Sequence, residues 1–251
     1  MLIMYAFDKY SLALDYHENS KLFNQEYRPY NQRISYKIYP SAKSISLDKN
    51  SLNAAQHDND SFLQTLLSRQ SIRSFTPENI DLSTLSRLLT LSCGLRDDRF
   101  RTYASAGARY PIEVYIVILR SDDLDKGIYH YNIIDNTLEL IKTGDYTQEM
   151  NDFYQNQVNA KVLMTDFPCL IFFSMVFERT MQKYGERGYR FALIDAGHMS
   201  QNLYLTATYL KLGLVALGGG AVSDNMLDDI LGLLHCEENV FYGFAVGHPT
   251  V

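Results

Sequence analysis

The sequence predicts one large domain of the α+β or α/β class, built on a single sheet that helices cover on both faces. Three observations lead to this prediction. The chain has 251 residues, 46% of them apolar, which is enough for one sizeable core. Segments with helical spacing alternate with strand-like segments along the chain. Two strand-like segments, residues 113–120 and 168–177, are almost continuously apolar, as strands buried on both faces are.

The elements of the first half are clearest after residue 60. Apolar residues at helical spacing predict a helix from Phe62 and a second helix from an N-cap at Asp81 to Gly94. Residues 113–120 (EVYIVILR) are rich in β-branched residues, and we place this strand near the centre of the sheet. Residues 127–142 form a predicted hairpin, because two alternating segments flank an Asp-Asn turn.

The second half of the chain alternates in the same way. A polar helix is expected over residues 146–157, and the second continuous strand follows it. Next comes a long helix over about 189–212, with Gly213 as its left-handed C-cap. The last elements are a short strand ending in three glycines, a helix with Ser223 as its N-cap, and a final strand over residues 239–247.

The N-terminal region differs in composition. Residues 1–60 are rich in Tyr and Asn, weakly periodic and end in a polar run, so we predict an N-terminal extension followed by a main domain over 61–251. The short apolar start has no basic residues before it and meets charges at once, which predicts no signal peptide. Cys93, Cys169 and Cys236 are scattered, which favours reduced thiols and a cytoplasmic location over disulfides or a metal site.

Charge and motifs exclude several classes of protein. The formal net charge of −6 argues against nucleic acid and anionic membrane surfaces as partners, since both need a positive footprint. The longest apolar stretch, residues 189–217, is interrupted by charged and polar residues, so no membrane span is predicted. The chain has no Rossmann fingerprint, P-loop, H-E-x-x-H or G-x-S-x-G motif. The commonest nucleotide-binding, metalloprotease and hydrolase classes are therefore set aside.

Two segments are candidates for contact with a flat, phosphate-bearing ligand. Arg69, Ser71 and Arg73 alternate, so an extended backbone would place two guanidinium groups and a hydroxyl side by side, which suits a phosphate. The alternative is a solvated helix end that attracts basic residues. The small residues around Ser105 and Gly107 leave backbone N–H groups accessible to a flat ligand, although an ordinary tight loop before a strand explains them equally well.

Two further segments are candidates for the reacting centre. Gly218, Gly219 and Gly220 would let a loop lie against a cofactor, or would serve a plain strand-to-helix turn. Lys183 and Tyr184 stand among arginines and glycines at the entrance to the long helix. Such a pair can supply a general base, and the alternative is a charged turn between two helices.

Taken in order, these segments resemble the nitroreductase-fold flavoproteins, and specifically the SagB- and McbC-type dehydrogenases that form thiazoles and oxazoles in peptides. The resemblance covers most of the chain, in the segments YHENSKL (16–22), YKIYP (36–40), RQSIR (69–73), SAGARYP (105–111), YHYN (129–132) and RGYRFALIDAGHMSQNLYL (187–205). The last segment is the most specific. Two features depart from the family pattern: Asp195 stands where relatives often have Glu, and no basic run follows FAVGHP.

The resemblance implies FMN as the cofactor, an α+β nitroreductase-like fold with a mixed, mostly antiparallel central sheet covered by helices, and a homodimer with FMN at the interface. It implies that Arg69, Ser71 and Arg73 lie on the FMN phosphate and on its ribityl or pyrimidine edge. Ser105 and Gly107 would then lie on the isoalloxazine of the partner subunit's site.

The resemblance also implies a reaction. Lys183 and Tyr184 stand where this subfamily has a Lys-Tyr pair associated with catalysis, and Gly218–Gly220 would lie near the reactive edge of the flavin. The expected activity is oxidation of thiazoline or oxazoline rings to thiazoles or oxazoles in a heterocyclised ribosomal peptide. A cyclodehydratase would act before this enzyme and is a candidate partner in a complex. Removing two hydrogens requires a base for the proton and a flavin for the hydride.

Two other interpretations stay open from the sequence. The first is an NAD(P)H-dependent reductase of nitro compounds, quinones or dehydroamino acids on the same fold, which rapid bleaching of bound FMN by NAD(P)H would favour. The second is a non-catalytic subunit of a peptide-modification complex. A colourless protein that fails to take up added FMN would favour that one.

Overall fold

The computed structural model of the chain describes residues 11–20, 37, 40, 41, 45, 46, 61–151, 167–217, 225–234 and 237–250. The chain divides into two compact units. One contains residues 1–22 and 69–251, and the other contains residues 23–68. The predicted boundary between an extension and a main domain at residue 60 stays a prediction.

The smaller unit contains one described helix of eight residues. The first described helix of the larger unit is α1 (Ser11–Ser20), and the described helix of the smaller unit is α2 (Ser61–Ser68). Within α2, Thr65 Oγ1 donates to the Ser61 carbonyl one turn earlier. The sequence predicts a helix from Phe62, and the structure begins it one residue earlier.

Six strands form one sheet in the larger unit. They are β1 (Ile112–Ile118), β2 (Gly127–Asn132), β3 (Thr137–Thr143), β4 (Cys169–Val176), β5 (Gly213–Leu217) and β6 (Glu238–Gly247). Their order is β3-β2-β1-β4-β6-β5, and every neighbouring pair among these strands is antiparallel. The parallel part of the predicted mixed sheet is not seen in the described residues. The reason is that β6 inserts between β4 and β5, which run in the same direction without pairing.

Strand β1 lies inside the sheet and is buried on both faces, as its continuous apolarity predicts. Ile112, Val114, Ile116 and Ile118 point into one hydrophobic cluster, and the intervening Val117 points into the other. Burial of this apolar surface is the main favourable contribution to folding. The prediction of a sheet covered on both faces is therefore confirmed.

Helix α3 (Leu82–Cys93) begins where its predicted N-cap places it. Asp81 has an extended backbone, and its Oδ1 accepts a hydrogen bond of 2.7 Å from the Thr84 backbone N–H. A cap of this kind contributes about 1 kcal/mol. Of the predicted apolar stripe, the middle positions are buried but the end positions Leu82 and Leu91 are 41% and 48% exposed, so the stripe is narrower than predicted.

Three more described helices follow β1–β3 in the chain: α4 (Phe177–Tyr184), α5 (Arg187–Tyr209) and α6 (Asn225–Leu231). Residues 147–151 are helical and begin the predicted polar helix, whose remainder lies outside the described residues, as does Ser223. The small residues of α5, Ala192 and Ala196, are buried against the sheet.

The predicted C-cap of the long helix is wrong. Helix α5 ends at Tyr209, and Lys211, with φ of +61°, makes the left-handed turn. Gly213 is instead the first residue of β5. A Cβ there would lie 2.9 Å from the Ile72 and Phe75 side chains. The glycine is therefore needed for close packing and does not mark the end of the helix.

Two predictions concern membrane-spanning helices and the state of the cysteines. None of the described helices is long and apolar enough to cross a membrane. Cys93 and Cys169 are buried free thiols, and burial raises the pKa of both to about 12, so neither is a reactive thiolate. Cys236 lies outside the described residues.

Candidate active site

Residues 104–111, which we call the small-residue loop, contact Lys183 and Tyr184, which we call the Lys-Tyr pair. The loop contains a 3₁₀ turn, Ala106–Ala108, in which Gly107 has φ of +60°. A Cβ on Gly107 would collide with Tyr184 Oη and lie 2.6 Å from Lys183 Nζ. Gly107 itself lies in the left-handed region, which L side chains rarely adopt, and the next residue, Ala108, also has a positive φ of 53°. Both the backbone conformation and the close approach of the pair therefore favour glycine at position 107.

Lys183 and Tyr184 are the last two residues of α4. Gly185, with φ of +57°, ends this helix and turns the chain towards α5. Lys183 Nζ lies 5.2 Å from the centroid of the Tyr184 ring, and that ring packs edge-on against Phe191 at 5.0 Å. Lys183 is exposed and Tyr184 is half-buried. An amine and a phenol are thus held side by side where a ligand can reach both.

Helix α5 holds the small-residue loop through one buried carboxylate. Ser105 Oγ donates to Asp195 Oδ2 at 2.5 Å, and the Ala106 backbone N–H donates to Asp195 Oδ1 at 3.1 Å. Ser105 Oγ also accepts from the Tyr110 backbone N–H at 2.9 Å. Asp195 is 2% exposed, and burial raises its pKa while the two hydrogen bonds oppose that rise. The Ser105 hydroxyl therefore uses its proton in the hydrogen bond to Asp195.

Helix α4 holds the same loop from the other side. Arg109 Nε donates to the Arg179 carbonyl at 2.7 Å, and Arg109 Nη2 donates to Gln182 Oε1 at 3.2 Å. Sequence reasoning noted Arg109 and Asp195 but did not predict either tie. A charged residue on the otherwise apolar, buried stripe of α5 is the pattern that could have indicated Asp195, because buried carboxylates need hydrogen-bond donors.

The Arg-x-Ser-x-Arg segment lies beside β5. The Ile72 backbone N–H donates to the Leu214 carbonyl at 3.0 Å. Just before it in the chain, Ser71 Oγ is 3.2 Å from Tyr204 Oη, and the Arg69 guanidinium is 5.5 Å from the centroid of the Tyr204 ring. Arg69 and Ser71 are both half-buried and both lie near this one tyrosine.

The remaining predicted site residues are Arg73 and the three glycines that follow β5. Arg73 is exposed. Gly218, Gly219 and Gly220 lie outside the described residues, and β5 ends directly before them at Leu217. Tyr204 was missed by the sequence reasoning, although its hydroxyl links Ser71 to β5 by accepting from the Ala216 backbone N–H at 2.8 Å.

These features fit a flavin. A flat ring needs backbone that it can approach closely, and Gly107 is exposed and has no side chain of its own, with Lys183 and Tyr184 next to it. A phosphate needs guanidinium and hydroxyl donors, which Arg69 and Ser71 provide. In the part of the chain that the structure describes, no group of three His, Cys, Asp or Glu side chains could hold a metal ion.

The antiparallel sheet, the helices that cover it and the small-residue loop define an α+β protein with a candidate flavin site. Comparison with known proteins identifies the family of this protein. The chain belongs to the nitroreductase family, whose profile matches residues 66–248. Members of this family are FMN flavoproteins and oxidoreductases, so the predictions of FMN as the cofactor and of an oxidoreductase are confirmed. The predicted nitroreductase-like α+β fold is confirmed as well.

Relatives of known sequence include peptide-processing proteins. A Methanocaldococcus jannaschii protein named as a nitroreductase is 32% identical over 66% of this chain and 81% of its own length. The microcin B17-processing protein McbC of Escherichia coli is 32% identical over 45% of this chain and 42% of McbC. The trifolitoxin-processing protein TfxB of Rhizobium leguminosarum is 27% identical over 68% of this chain and 48% of TfxB. The matches thus span less than half of the two peptide-processing proteins.

Solved structures agree with the assignment. The E. coli microcin synthetase McbBCD complex, with truncated pro-MccB17 bound, matches with a TM-score of 0.74 at 22% identity over 96% of this chain and 93% of the matched chain. A nitroreductase-type structure from Anabaena variabilis matches with a TM-score of 0.64 at 26% identity over 75% and 38%. These structures show the nitroreductase-like fold, and the relatives McbC and TfxB bear out the predicted resemblance to nitroreductase-fold proteins of the SagB/McbC type.

Proposed function

We propose that this protein is an FMN-dependent dehydrogenase that oxidises thiazoline or oxazoline rings of a cyclodehydrated peptide to thiazoles or oxazoles. The observation that carries the proposal is the approach of Lys183 Nζ and Tyr184 Oη to Gly107, which places two proton-handling groups beside a surface without side chains. The names of McbC and TfxB, which describe peptide processing, support a peptide as the substrate.

The reaction removes two hydrogens from a five-membered ring. A base takes the proton from the ring carbon α to the carbonyl, the adjacent carbon loses a hydride, and the ring becomes aromatic. FMN, when bound, supplies the redox chemistry by accepting the hydride. The chain itself must therefore supply the base, hold the ring in position and shield it from water.

Lys183 and Tyr184 are the candidates for the base. Because both polar atoms approach the same point on the loop, a ring bound against Gly107 would be within reach of either. One of the two takes the α-proton, and the other donates a hydrogen bond to the carbonyl oxygen on which negative charge develops. The ties from Asp195 and Arg109 hold the loop while this happens.

Other residues are proposed to bind the cofactor. Arg69 and Ser71 would hold the FMN phosphate and ribityl chain, with Arg73 completing the charge around the phosphate. Ser105 and Gly107 would lie on the isoalloxazine, and the glycine triplet would lie near its reactive edge. A homodimer with FMN at the interface, acting with a cyclodehydratase in the cytoplasm, belongs to the same proposal, and the McbBCD match supports the association with a cyclodehydratase.

The test is the loss of two hydrogens from a cyclised peptide, followed by mass spectrometry. Lys183→Ala or Tyr184→Phe is expected to lower the rate about 10²- to 10⁴-fold while the protein keeps its flavin absorbance, because removal of a general base costs about that much. Tyr209→Phe, at an exposed position of α5, is the matched control and keeps full activity. A fully active double variant of Lys183 and Tyr184 would overturn the assignment.

A second candidate is an NAD(P)H-dependent reductase of nitro compounds or quinones. The match to the M. jannaschii protein, which covers 81% of that protein, favours it. A similarity of 25% identity to the NADPH-dependent FMN reductase of Bacillus subtilis points the same way. Mixing the FMN-loaded protein with NADPH in the absence of peptide decides between the two, since fast bleaching of the flavin supports the reductase. Protein that takes up no FMN at all would support a non-catalytic subunit.

A further inference from the structure

An arginine-lined groove leads away from the small-residue loop. It consists of two cavities, of about 540 Å³ and about 400 Å³, that share Arg101 and Tyr110 in their walls. The first cavity reaches Gly107, and the second extends to Ile134, which is 76% exposed at the turn after β2. We call this feature the arginine groove, and its cationic wall consists of Arg96, Arg101, Arg109 and Arg179.

The central guanidinium of the groove is fixed in place. Arg101 Nη1 donates to Tyr103 Oη at 3.1 Å and to the Ile112 carbonyl at 3.4 Å. Its guanidinium also lies 4.7 Å from the centroid of the Tyr110 ring. Among the described residues, Arg101 Nε and Nη2 have no hydrogen-bond partner. A half-buried arginine is thus held rigidly with donors left for a ligand.

The neighbouring guanidiniums are held in the same manner. Arg179 Nη1 donates to the Tyr110 carbonyl at 3.2 Å and contacts the Glu113 carboxylate, and Arg109 uses Nε and Nη2 to tie the loop to α4. Within the described part of the chain, Arg179 Nε and Nη2 and Arg109 Nη1 have no partner. Three half-buried arginines therefore line one groove with unused N–H groups.

The charge of the groove is opposite to that of the chain. Its lining carboxylate is Glu113, which is already engaged by Arg179 and by His130 Nε2 at 3.0 Å. Burial opposes the ionisation of Glu113, but the hydrogen bonds from these two partners outweigh it and lower its pKa. Arg96, at the outer end, pairs with Asp97. The groove still keeps an excess of positive charge in a chain whose formal net charge is −6.

We propose that the arginine groove binds an acidic segment of the peptide substrate and so guides the ring to be oxidised to Gly107. This inference rests on the proposed function, because it assigns the groove to the peptide of that reaction. Guanidinium groups spaced along a groove match carboxylates spaced along an extended peptide, and Arg101 and Arg179 each keep Nε and Nη2 for a two-point contact with a carboxylate. The exposed apolar end at Ile134 suits a peptide better than it suits a nucleotide phosphate.

Binding can be measured without turnover. The FMN-loaded full chain is titrated into a fluorescein-labelled peptide of alternating glutamate and glycine, and into a matched peptide of glutamine and glycine, with fluorescence anisotropy as the readout. The glutamate peptide is expected to bind at least about tenfold more tightly, and Arg101→Gln is expected to weaken its binding about tenfold, since a charge-assisted hydrogen bond contributes that much. Arg87→Gln, at an exposed site on α3 outside the groove, is the matched control and leaves binding within about twofold.

Three outcomes would overturn the inference. They are equal binding of the two peptides, an equal loss in the Arg87 and Arg101 variants, and displacement of the glutamate peptide by NADPH. If Arg101→Gln does not fold, Arg179→Gln is measured in its place. Azoline oxidation is assayed separately by mass spectrometry, so a protein that oxidises its peptide without preferring glutamate contradicts only the groove. One that binds glutamate without oxidising azolines contradicts only the proposed reaction.

Discussion

Ser105 Oγ and Asp195 Oδ2 are joined by a hydrogen bond of 2.5 Å that links the small-residue loop to the middle of α5. The two residues are 90 positions apart in the chain. Because Asp195 also accepts from the Ala106 backbone N–H, both oxygens of a buried carboxylate are used to hold one turn of backbone. That turn presents Gly107 to the Lys-Tyr pair, so the carboxylate positions the candidate site without being part of the reaction.

Replacing Asp195 should destabilise the fold. Asp195→Ala leaves the Ser105 hydroxyl and the Ala106 N–H without their acceptor, and we expect the free energy of unfolding to fall by about 1–3 kcal/mol. Asp195→Asn keeps one acceptor oxygen and should lose less. Urea unfolding measures both, with Asp98→Ala at an exposed site as the control. Equal stability of the Ala variant and the wild type would contradict this role.

His130 should make stability depend on pH. Its pKa is raised above the ordinary 6.5, first by the hydrogen bond with Glu113 and then by that with Glu139, against the effect of burial. The folded protein therefore binds this proton more tightly than the unfolded chain does. The stabilisation is fully present below pH 6.5 and is lost as the pH rises through the raised folded-state value. The difference in unfolding free energy between wild type and His130→Gln should shrink over that rise, and a constant difference would refute it.

A methyl group at position 107 should disturb the candidate base. Gly107→Ala places a Cβ against Tyr184 Oη and Lys183 Nζ and so displaces both groups. We expect the rate of azoline oxidation to fall about 10²-fold, because a displacement of about 1 Å in a catalytic group costs about that much. The control is Gly232→Ala, which shares a positive φ (+81°) but places its Cβ no closer than 3.6 Å to Lys142, an ordinary contact. The measurement is the oxidation rate of both variants at equal FMN content. Unchanged activity of Gly107→Ala would show that the pair is not needed in this position.

Loss of one hydroxyl should weaken the proposed phosphate end of the site. Tyr204→Phe removes the bonds to Ser71 and to the Ala216 N–H, and we expect FMN to bind about 5- to 20-fold more weakly because Ser71 is no longer oriented. Quenching of flavin fluorescence during titration gives the affinity. Tyr209→Phe lies on the same helix with an exposed side chain, and it should bind FMN like the wild type. Equal affinity of the two variants would remove Ser71 from the proposed FMN site.

Local patterns predicted most of the elements. The Asp81 cap, the doubly buried β1 and the hairpin follow from residue type and spacing over a few positions, because capping and alternation are short-range effects. Gly213 shows where such patterns fail. A glycine after a helix usually indicates its end, but this one is required by the Ile72 and Phe75 side chains, which come from a distant part of the chain.

The sequence by itself therefore determined the α+β class, the family resemblance and the residue types of the site. Only the tertiary structure decided that Gly107 faces Lys183 and Tyr184, and that Asp195 holds the loop beneath them. The physical reason is that these contacts depend on the order of the strands and on the path of α5 across the sheet. Residues far apart in the chain meet there through packing, which no local spacing encodes.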